Sequence, residues 1–332
     1  MNAHPQILIV KLAAVGDVVM ASTMLPALRQ RWPKARITWL CGKGVAPLVA
    51  LFEGVDEVLT VDEKRLLTGT FLARIRGLLD TLFNLMGRRF DLCLIANNNW
   101  RYRLIPLTAL CSERRSLRGR GKQIPGRWHG DEYRRLALGL DTAFDEQAPL
   151  ARLRTHKDED IMPGEAPVVL VPGGARNILR SDAQRRWPVD YYREVAKALR
   201  AQGIPVALAG SGDDRWAEKH FADLEVTSFI GKTNLLQLLA LLRQARACVT
   251  HDTGPLHLAY LTGTPTVALF GPTLAREKVP PSASVRVISA SMPCAPCYDG
   301  YSYTPCLTCE CMRSLSPFTV LHILRELLQD NK

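Results

Sequence analysis

Four groups of residues in this chain combine types and spacings that can do chemistry. The first is Gly16-Asp17, a carboxylate set just after a short apolar run at residues 7–10. An aspartate at such a junction serves as a helix cap or, where a ligand sits, as a general base. Lys11 and the start of a helix should lower its pKa. A base here would therefore act late, as an attacking hydroxyl becomes acidic. The second group is THDTGPLH at 250–257, where Asp252, Thr253 and Gly254 follow an apolar run and open a helical pattern. Amide N–H groups at a helix start suit a diphosphate, and glycine lets it approach the backbone. His257, one turn in, can point at the same anion, although capping and a satisfied polar histidine would explain these residues without a ligand.

The third group is VPGGAR at 171–176, followed by Arg185-Arg186-Trp187-Pro188. Gly173 and Gly174 can receive a phosphate at a turn, and Arg176 and Arg185 can hold it with forked donors. The fourth is Cys294-x-x-Cys297 with Cys306-x-x-Cys309-x-Cys311. Paired Cys-x-x-Cys turns supply the thiolates of a structural Zn or Fe site, with one cysteine to spare; free or redox-active thiols are the alternative.

These groups need elements to hold them. Apolar patterning predicts a strand at 7–10, a glycine loop, a helix over 18–31, strands at 36–40, 57–61 and 91–96, and a long amphipathic helix over 66–87 with Arg74 and Arg76 on its polar side. Residues 97–135, rich in Pro, Gly, Arg and Lys, read as irregular, and the polar stretch 155–167 reads as a linker. Strands are then expected at 168–171, 205–209, 247–250 and 264–270, and helices at 189–200, 235–243 and 255–261. A last amphipathic helix over 316–330 carries Leu321, Leu324 and Leu328 on one stripe. Strands alternating with helices imply parallel sheets covered on both faces, here as two doubly wound α/β halves with a cleft between them.

Composition narrows the function classes. With 332 residues, 47% apolar and 23% charged, the chain is an ordinary folded protein of about two domains. The excess of 43 basic over 32 acidic residues lies mostly in residues 1–163, which hold 25 basic and 17 acidic residues. That balance admits nucleic acid, an anionic membrane surface or an acidic substrate. There is no uninterrupted apolar run of about 18 residues. The first residues lack a basic n-region, and Cys41, Cys93, Cys111 and Cys248 are scattered, so a soluble cytoplasmic protein is expected. Gly210-Ser-Gly212 is followed by Asp213-Asp214-Arg215 rather than a G-x-G-x-x-G fingerprint, which argues against a nicotinamide-dependent oxidoreductase. A nucleic-acid-binding protein with a cysteine knuckle is disfavoured because the only charges within 294–311 are Asp299 and Glu310.

The ordered set ILIVKLAAVGDVVMASTMLPALRQRWP (7–33), RWHGDEYRRLALGL (127–140), VPGGARN…RRWPVDYY (171–192) and IGKTNLLQLLALLRQARACVTHDTGPLHLAYLTGTPTVALFGPT (230–273) resembles glycosyltransferase family 9, the ADP-heptose:lipopolysaccharide heptosyltransferases. The resemblance implies the GT-B fold: two Rossmann-like doubly wound domains with an interdomain cleft. Residues 1–163 would form the acceptor-binding domain and 164–315 the sugar-nucleotide domain, with a helix at 316–332 packing back toward the first. It implies inverting transfer without a cofactor for catalysis. Asp17 would be the base, and Gly173, Gly174, Arg176, Arg185, Asp252, Thr253, Gly254 and His257 would surround the ADP-heptose. The family often has Lys where this chain has Arg185, which changes reach and donor geometry. An anionic lipopolysaccharide inner core, met at the inner face of the inner membrane, would suit the basic first half, with Arg101, Arg103, Arg118, Arg120 and Lys122 as acceptor contacts. Protein-directed heptosyltransferases similar to this family carry a four-cysteine iron site, so a protein acceptor is the alternative. Nucleic acid is not an expected partner.

Overall fold

The computed structural model describes residues 4–117, 124–139, 147–155, 161, 164–176, 181–300, 302–306 and 308–330. The chain divides into two compact units, Met1–Lys157 and Asp158–Lys332, inside the linker expected at 155–167.

The first unit is a five-stranded parallel sheet built from β1 (Gln6–Val10), β2 (Arg36–Gly42), β3 (Glu57–Val61), β4 (Arg89–Ile95) and β5 (Leu110–Ser116), in the order β3-β2-β1-β4-β5. Its helices are α1 (Val15–Ala21), α2 (Met24–Arg31), α3 (Ala46–Leu51), α4 (Glu63–Thr68), α5 (Phe71–Leu85) and α6 (His129–Leu138), with a 3₁₀ helix at Trp100–Thr108. After Gln6 the central strand β1 is apolar, and Ile7, Leu8, Ile9 and Val10 are wholly buried, as a strand covered on both faces requires.

Three expectations for this unit change. The helix over 18–31 is two helices. Thr23 turns its hydroxyl onto the Met20 and Gly130 carbonyls, and Pro26 has no N–H with which to continue the ladder. The helix over 66–87 is also two: α4 stops at Gly69, which is extended, and the Thr70 hydroxyl caps α5 by accepting from the Ala73 N–H. Within 97–135, taken as irregular, lie the 3₁₀ helix, β5 and the start of α6. The polar sequence of β5, LCSERRS, is that of an edge strand, and Arg114 and Arg115 occupy neighbouring carbonyls of Pro106, Ala109 and Ala137.

The second unit is a six-stranded parallel sheet of β6 (Val168–Leu170), β7 (Val206–Leu208), β8 (Thr227–Ser228), β9 (Ala247–His251), β10 (Thr266–Phe270) and β11 (Val285–Ser289), in the order β11-β10-β9-β6-β7-β8. Its helices are α7 (Val189–Arg200), α8 (Leu235–Gln244), α9 (Gly254–Thr262), α10 (Ala275–Lys278), α11 (Glu310–Arg313) and α12 (Pro317–Asp330), with 3₁₀ turns at Ala183–Arg185 and Gly212–Phe221. Trp187 packs edge-on against Tyr192 at 4.8 Å between ring centroids, inside a core that joins β6, β9, β10 and α7. The stripe of α12 enters that same core through Val320, Leu324, Leu327 and Leu328. The stripe read from the sequence is thus buried within its own unit.

In each sheet the chain leaves a central strand in one direction and returns on its other side, between β1 and β4 and between β6 and β9. Such switch points open crevices beyond the carboxyl ends of the strands, where open α/β sheets bind ligands.

Candidate functional site

In the first unit, Asp17 lies in the first turn of α1, just past the carboxyl end of β1. Its Oδ2 is 3.1 Å from Nζ of Lys11, and the Asp17 side chain is 42% exposed while that of Lys11 is 4% exposed. Burial alone would push the Lys11 ammonium toward neutrality, but Asp17 and Tyr133 outweigh it and hold its pKa above the ordinary lysine value. Lys11 also sits over the Tyr133 ring, 5.3 Å from its centroid. Asp17 is therefore a solvent-reachable carboxylate fixed from behind by a buried cation.

Two groups at the same edge escaped the sequence reading. Glu63, the first residue of α4, is buried, and its Oε2 has no partner among the described residues. Burial and the adjacent Asp62 raise its pKa, and Gly42 makes room for it, since a Cβ there would collide with the carboxylate. Tyr102, in the 3₁₀ helix after β4, is close enough to Lys11, Glu63 and Asp17 to feel their charges, although burial is the main cause of its raised pKa. Asp62-Glu63-Lys64 reads locally as a charged surface turn, so nothing in that run announces a buried acid.

In the second unit, the residues singled out around 171–176, 185 and 250–257 converge on the carboxyl ends of β6 and β9. Asp252 and Thr253 follow β9, and Thr253 is the N-cap of α9. The Thr253 hydroxyl is not turned to its own helix; it accepts from the Ala175 N–H at 3.0 Å. The first turn of α9 is thereby left without a side-chain cap. Gly174 takes a φ of +80°, and a Cβ there would sit 2.5 Å from the Thr253 hydroxyl, so this turn requires glycine twice over.

The glycine turn itself is already bonded. The Gly174 N–H donates to Asp214 Oδ1 at 2.8 Å, and Arg186 holds the Gly174 carbonyl through Nε and Nη2. Asp214 also accepts from the Ser211 N–H and hydroxyl, closing a capping box. Asp214, one of the two acids that stand in place of a dinucleotide fingerprint, thus has a positive role, as the clamp on the glycine turn. Of the amides around Gly173 and Gly174 and at the start of α9, those of Gly174, Ala175 and Leu256 are occupied and Pro255 has none, which leaves the Gly254 N–H as the donor of the α9 start.

Arg185 bridges two buried carboxylates, with Nη2 2.8 Å from Asp182 and Nη1 3.3 Å from Asp252, while its Nε has no partner among the described residues. Burial would raise the Asp252 carboxyl, but Arg185, Lys278 and His257 outweigh it and hold it below the usual carboxylate range. His257 stacks its Nε2 4.0 Å from Asp252 Oδ1 and pairs Nδ1 with the Tyr260 hydroxyl at 2.7 Å. Behind them His251, also missed by the sequence reading, is kept neutral: burial and then Arg185 push its pKa down to about 3. Arg176 lies apart, half exposed and 2.9 Å from Asp213.

Of the acceptor candidates, Arg101 and Arg103 are exposed on the 3₁₀ helix beyond β4, and Arg103 donates to Ser116. Arg118, Arg120 and Lys122 lie outside the described residues. The cysteine segment forms one knuckle-like turn, in which the Cys309 N–H donates to Cys306 Sγ at 3.3 Å. Among the described residues no group of three or more His, Cys, Asp or Glu side chains, those of Cys294, Cys297, Cys306, Cys309 and Cys311 included, is arranged to hold a metal ion.

Comparison with known proteins gives this geometry its context. The sequence profile of glycosyltransferase family 9 (heptosyltransferase) matches residues 127–307. The chain is 28% identical over 318 residues to lipopolysaccharide heptosyltransferase 1 of Pseudomonas aeruginosa, covering 88% of this chain and 86% of that one. It is 26% identical over 313 residues to lipooligosaccharide heptosyltransferase 2 of Haemophilus influenzae, covering 85% and 88%. The solved ADP-heptose lipopolysaccharide heptosyltransferase II of E. coli superposes with a TM-score of 0.75 at 22% identity, over 98% of this chain and 99% of that one. The two parallel sheets are those of the expected GT-B fold.

Proposed function

Since the chain belongs to glycosyltransferase family 9, the heptosyltransferases, we propose that it transfers heptose from ADP-heptose to a hydroxyl of the lipopolysaccharide core. The observation that carries this reading is the reachable Asp17 carboxylate, backed by buried Lys11 at the switch point of the first sheet. The names of the aligned relatives support the choice of donor and acceptor. In the proposed step the acceptor oxygen attacks the anomeric carbon opposite the diphosphate. The new C–O bond forms as the bond from that carbon to the β-phosphate oxygen breaks, and the hydroxyl proton passes to Asp17. ADP leaves with one more negative charge than it carried as part of the donor.

That charge needs donors. The Gly254 N–H at the uncapped start of α9 and the spare Nε of Arg185 would supply them. Asp252 and His257 hold Arg185 and the helix start in place and bound the pocket for the sugar. Thr253, with Gly173 and Gly174, shapes the turn against which the diphosphate lies. Exposed Arg101 and Arg103 are donors for an anionic acceptor presented at a membrane surface on the cytoplasmic side.

A panel of nucleotide sugars incubated with the purified chain tests the reading. Protection against heat and slow hydrolysis are expected with ADP-heptose, and transfer to heptose-free core lipopolysaccharide but not to a serine-bearing protein acceptor. Because amides and arginine take the leaving-group charge, transfer is expected to continue in EDTA at its initial rate. Immediate arrest by EDTA with recovery on adding Mg²⁺ would remove this account of the leaving group.

A further inference from the structure

The helix α5 is turned outward along its apolar side. Phe71, Leu72, Ile75, Leu79, Phe83 and, just past its end, Met86 are each between 41% and 77% exposed. At 100° per residue these six fall within an arc of about 120°, one continuous ridge. The opposite side is the one that packs: Gly77, Thr81 and Leu85 are buried. A monomeric protein rarely leaves so many large apolar side chains contiguous on its surface without a use for them.

The charges around the ridge say what covers it. Arg74 and Arg76 are exposed; Arg76 lies about 20° beyond one border of the ridge and Arg74 about 60° beyond the other, within reach of a long side chain. The one acidic residue of the helix, Asp80, points away and is paired with Arg65 at 3.2 Å. Lys64 on α4 and Arg89 after the helix are exposed as well. An apolar stripe edged by arginines matches the boundary between acyl chains and anionic headgroups. A second copy of the helix laid on the first would bring arginine borders against each other. From Phe71 to Met86 the ridge is about 24 Å long at 1.5 Å per residue. Among the described residues no helix is long and apolar enough to cross a membrane. The ridge is suited to lying in the interface plane.

We propose that the α5 ridge is a docking surface for an anionic lipid bilayer, with its apolar side chains seated among the acyl chains and Arg74 and Arg76 at the headgroups. This deepens the functional reading above, in which the acceptor is presented at a membrane, but it is tested without donor or acceptor. The full chain is sedimented with vesicles of phosphatidylethanolamine and phosphatidylglycerol, or of phosphatidylcholine alone. Binding is expected to the anionic vesicles and to weaken with salt. It should fall at least about tenfold in the double variant Phe71→Ser/Phe83→Ser and in Arg74→Glu/Arg76→Glu. The same variants should transfer heptose to a soluble core fragment within about twofold of the parent, since surface changes rarely alter the rest of a fold. Equal binding by parent and variants, or no binding by the parent, overturns the proposal. So does a parent dimer in sedimentation equilibrium that the Phe71→Ser/Phe83→Ser change dissolves, because the ridge would then be a contact between copies. Vesicle binding without any transfer from ADP-heptose would count against the functional reading and leave the docking surface standing.

Discussion

Replacing Asp17 with Asn is expected to lower turnover at least about a hundredfold, the usual scale for a lost general base, while ADP-heptose still protects the protein against heat. The amide keeps the size of the carboxylate and an oxygen acceptor, but it cannot take the acceptor's proton. The substitution also removes the countercharge of Lys11, a buried ammonium whose pKa is held up by Asp17 and Tyr133 against the pull of burial. A raised lysine pKa contributes stability that is complete below the unfolded value and is lost as pH climbs through the folded one. In Asp17→Asn much of that raising is gone, so the variant should lose stability at a lower, though still alkaline, pH than the parent. Donor protection, which the proposed function assigns to the second unit, separates a missing base from a damaged fold. Asp17→Glu, which restores the countercharge, should recover the alkaline stability and part of the rate. Turnover of Asp17→Asn near the parent's would take Asp17 out of the reaction.

The sequence carries the scaffold of these sites better than their wiring. The pattern 189–200 matches α7 residue for residue, because a strongly amphipathic segment led by Pro188 and closed by basic residues leaves little choice of boundary. The strand β5 was invisible: its LCSERRS has no alternation to read, since edge position and carbonyl partners, not a buried face, hold it. The break between α4 and α5 was written in Thr68-Gly69-Thr70, a stop followed by a cap, but a long apolar stripe running through it hid the signal. At the site, Asp17 and Asp252 could be picked out because each follows a strand and opens a helix. The bonds that give them their surroundings join residues far apart in the chain. Gly174 reaches Asp214 across 40 residues, and Ala175 reaches Thr253 across 78. No local pattern encodes such pairs, and they decide which amides are open to a ligand and which are occupied. The same holds for Glu63 at the start of α4, whose burial depends on Gly42 at the end of β2.

Arg185→Met is expected to be the most disruptive single change in the second unit. The guanidinium is bonded to both Asp182 and Asp252, whose side chains are 5% and 4% exposed. Methionine preserves much of the volume and removes the charge, leaving two carboxylates in a place that burial alone disfavours. Breaking a buried ion pair from one side costs about 3–5 kcal/mol, and Lys278 and His257, which also face Asp252, place this case toward the lower end. Urea unfolding followed by amide exchange in β9 and α9 reads the loss in this unit alone. Its pH dependence distinguishes charge from packing. In the parent, Asp252 has a lowered pKa, so its contribution is present above the unfolded carboxylate value of about 3.9 and disappears as pH falls through the folded one. Without Arg185, burial would raise that pKa instead, and protonation would relieve the variant as pH falls. The stability gap between parent and variant should therefore narrow on moving from pH 7 toward pH 4. A gap that stays constant over that range would mean that Arg185 stabilises by filling space, and the donor role proposed for it would lose its electrostatic basis.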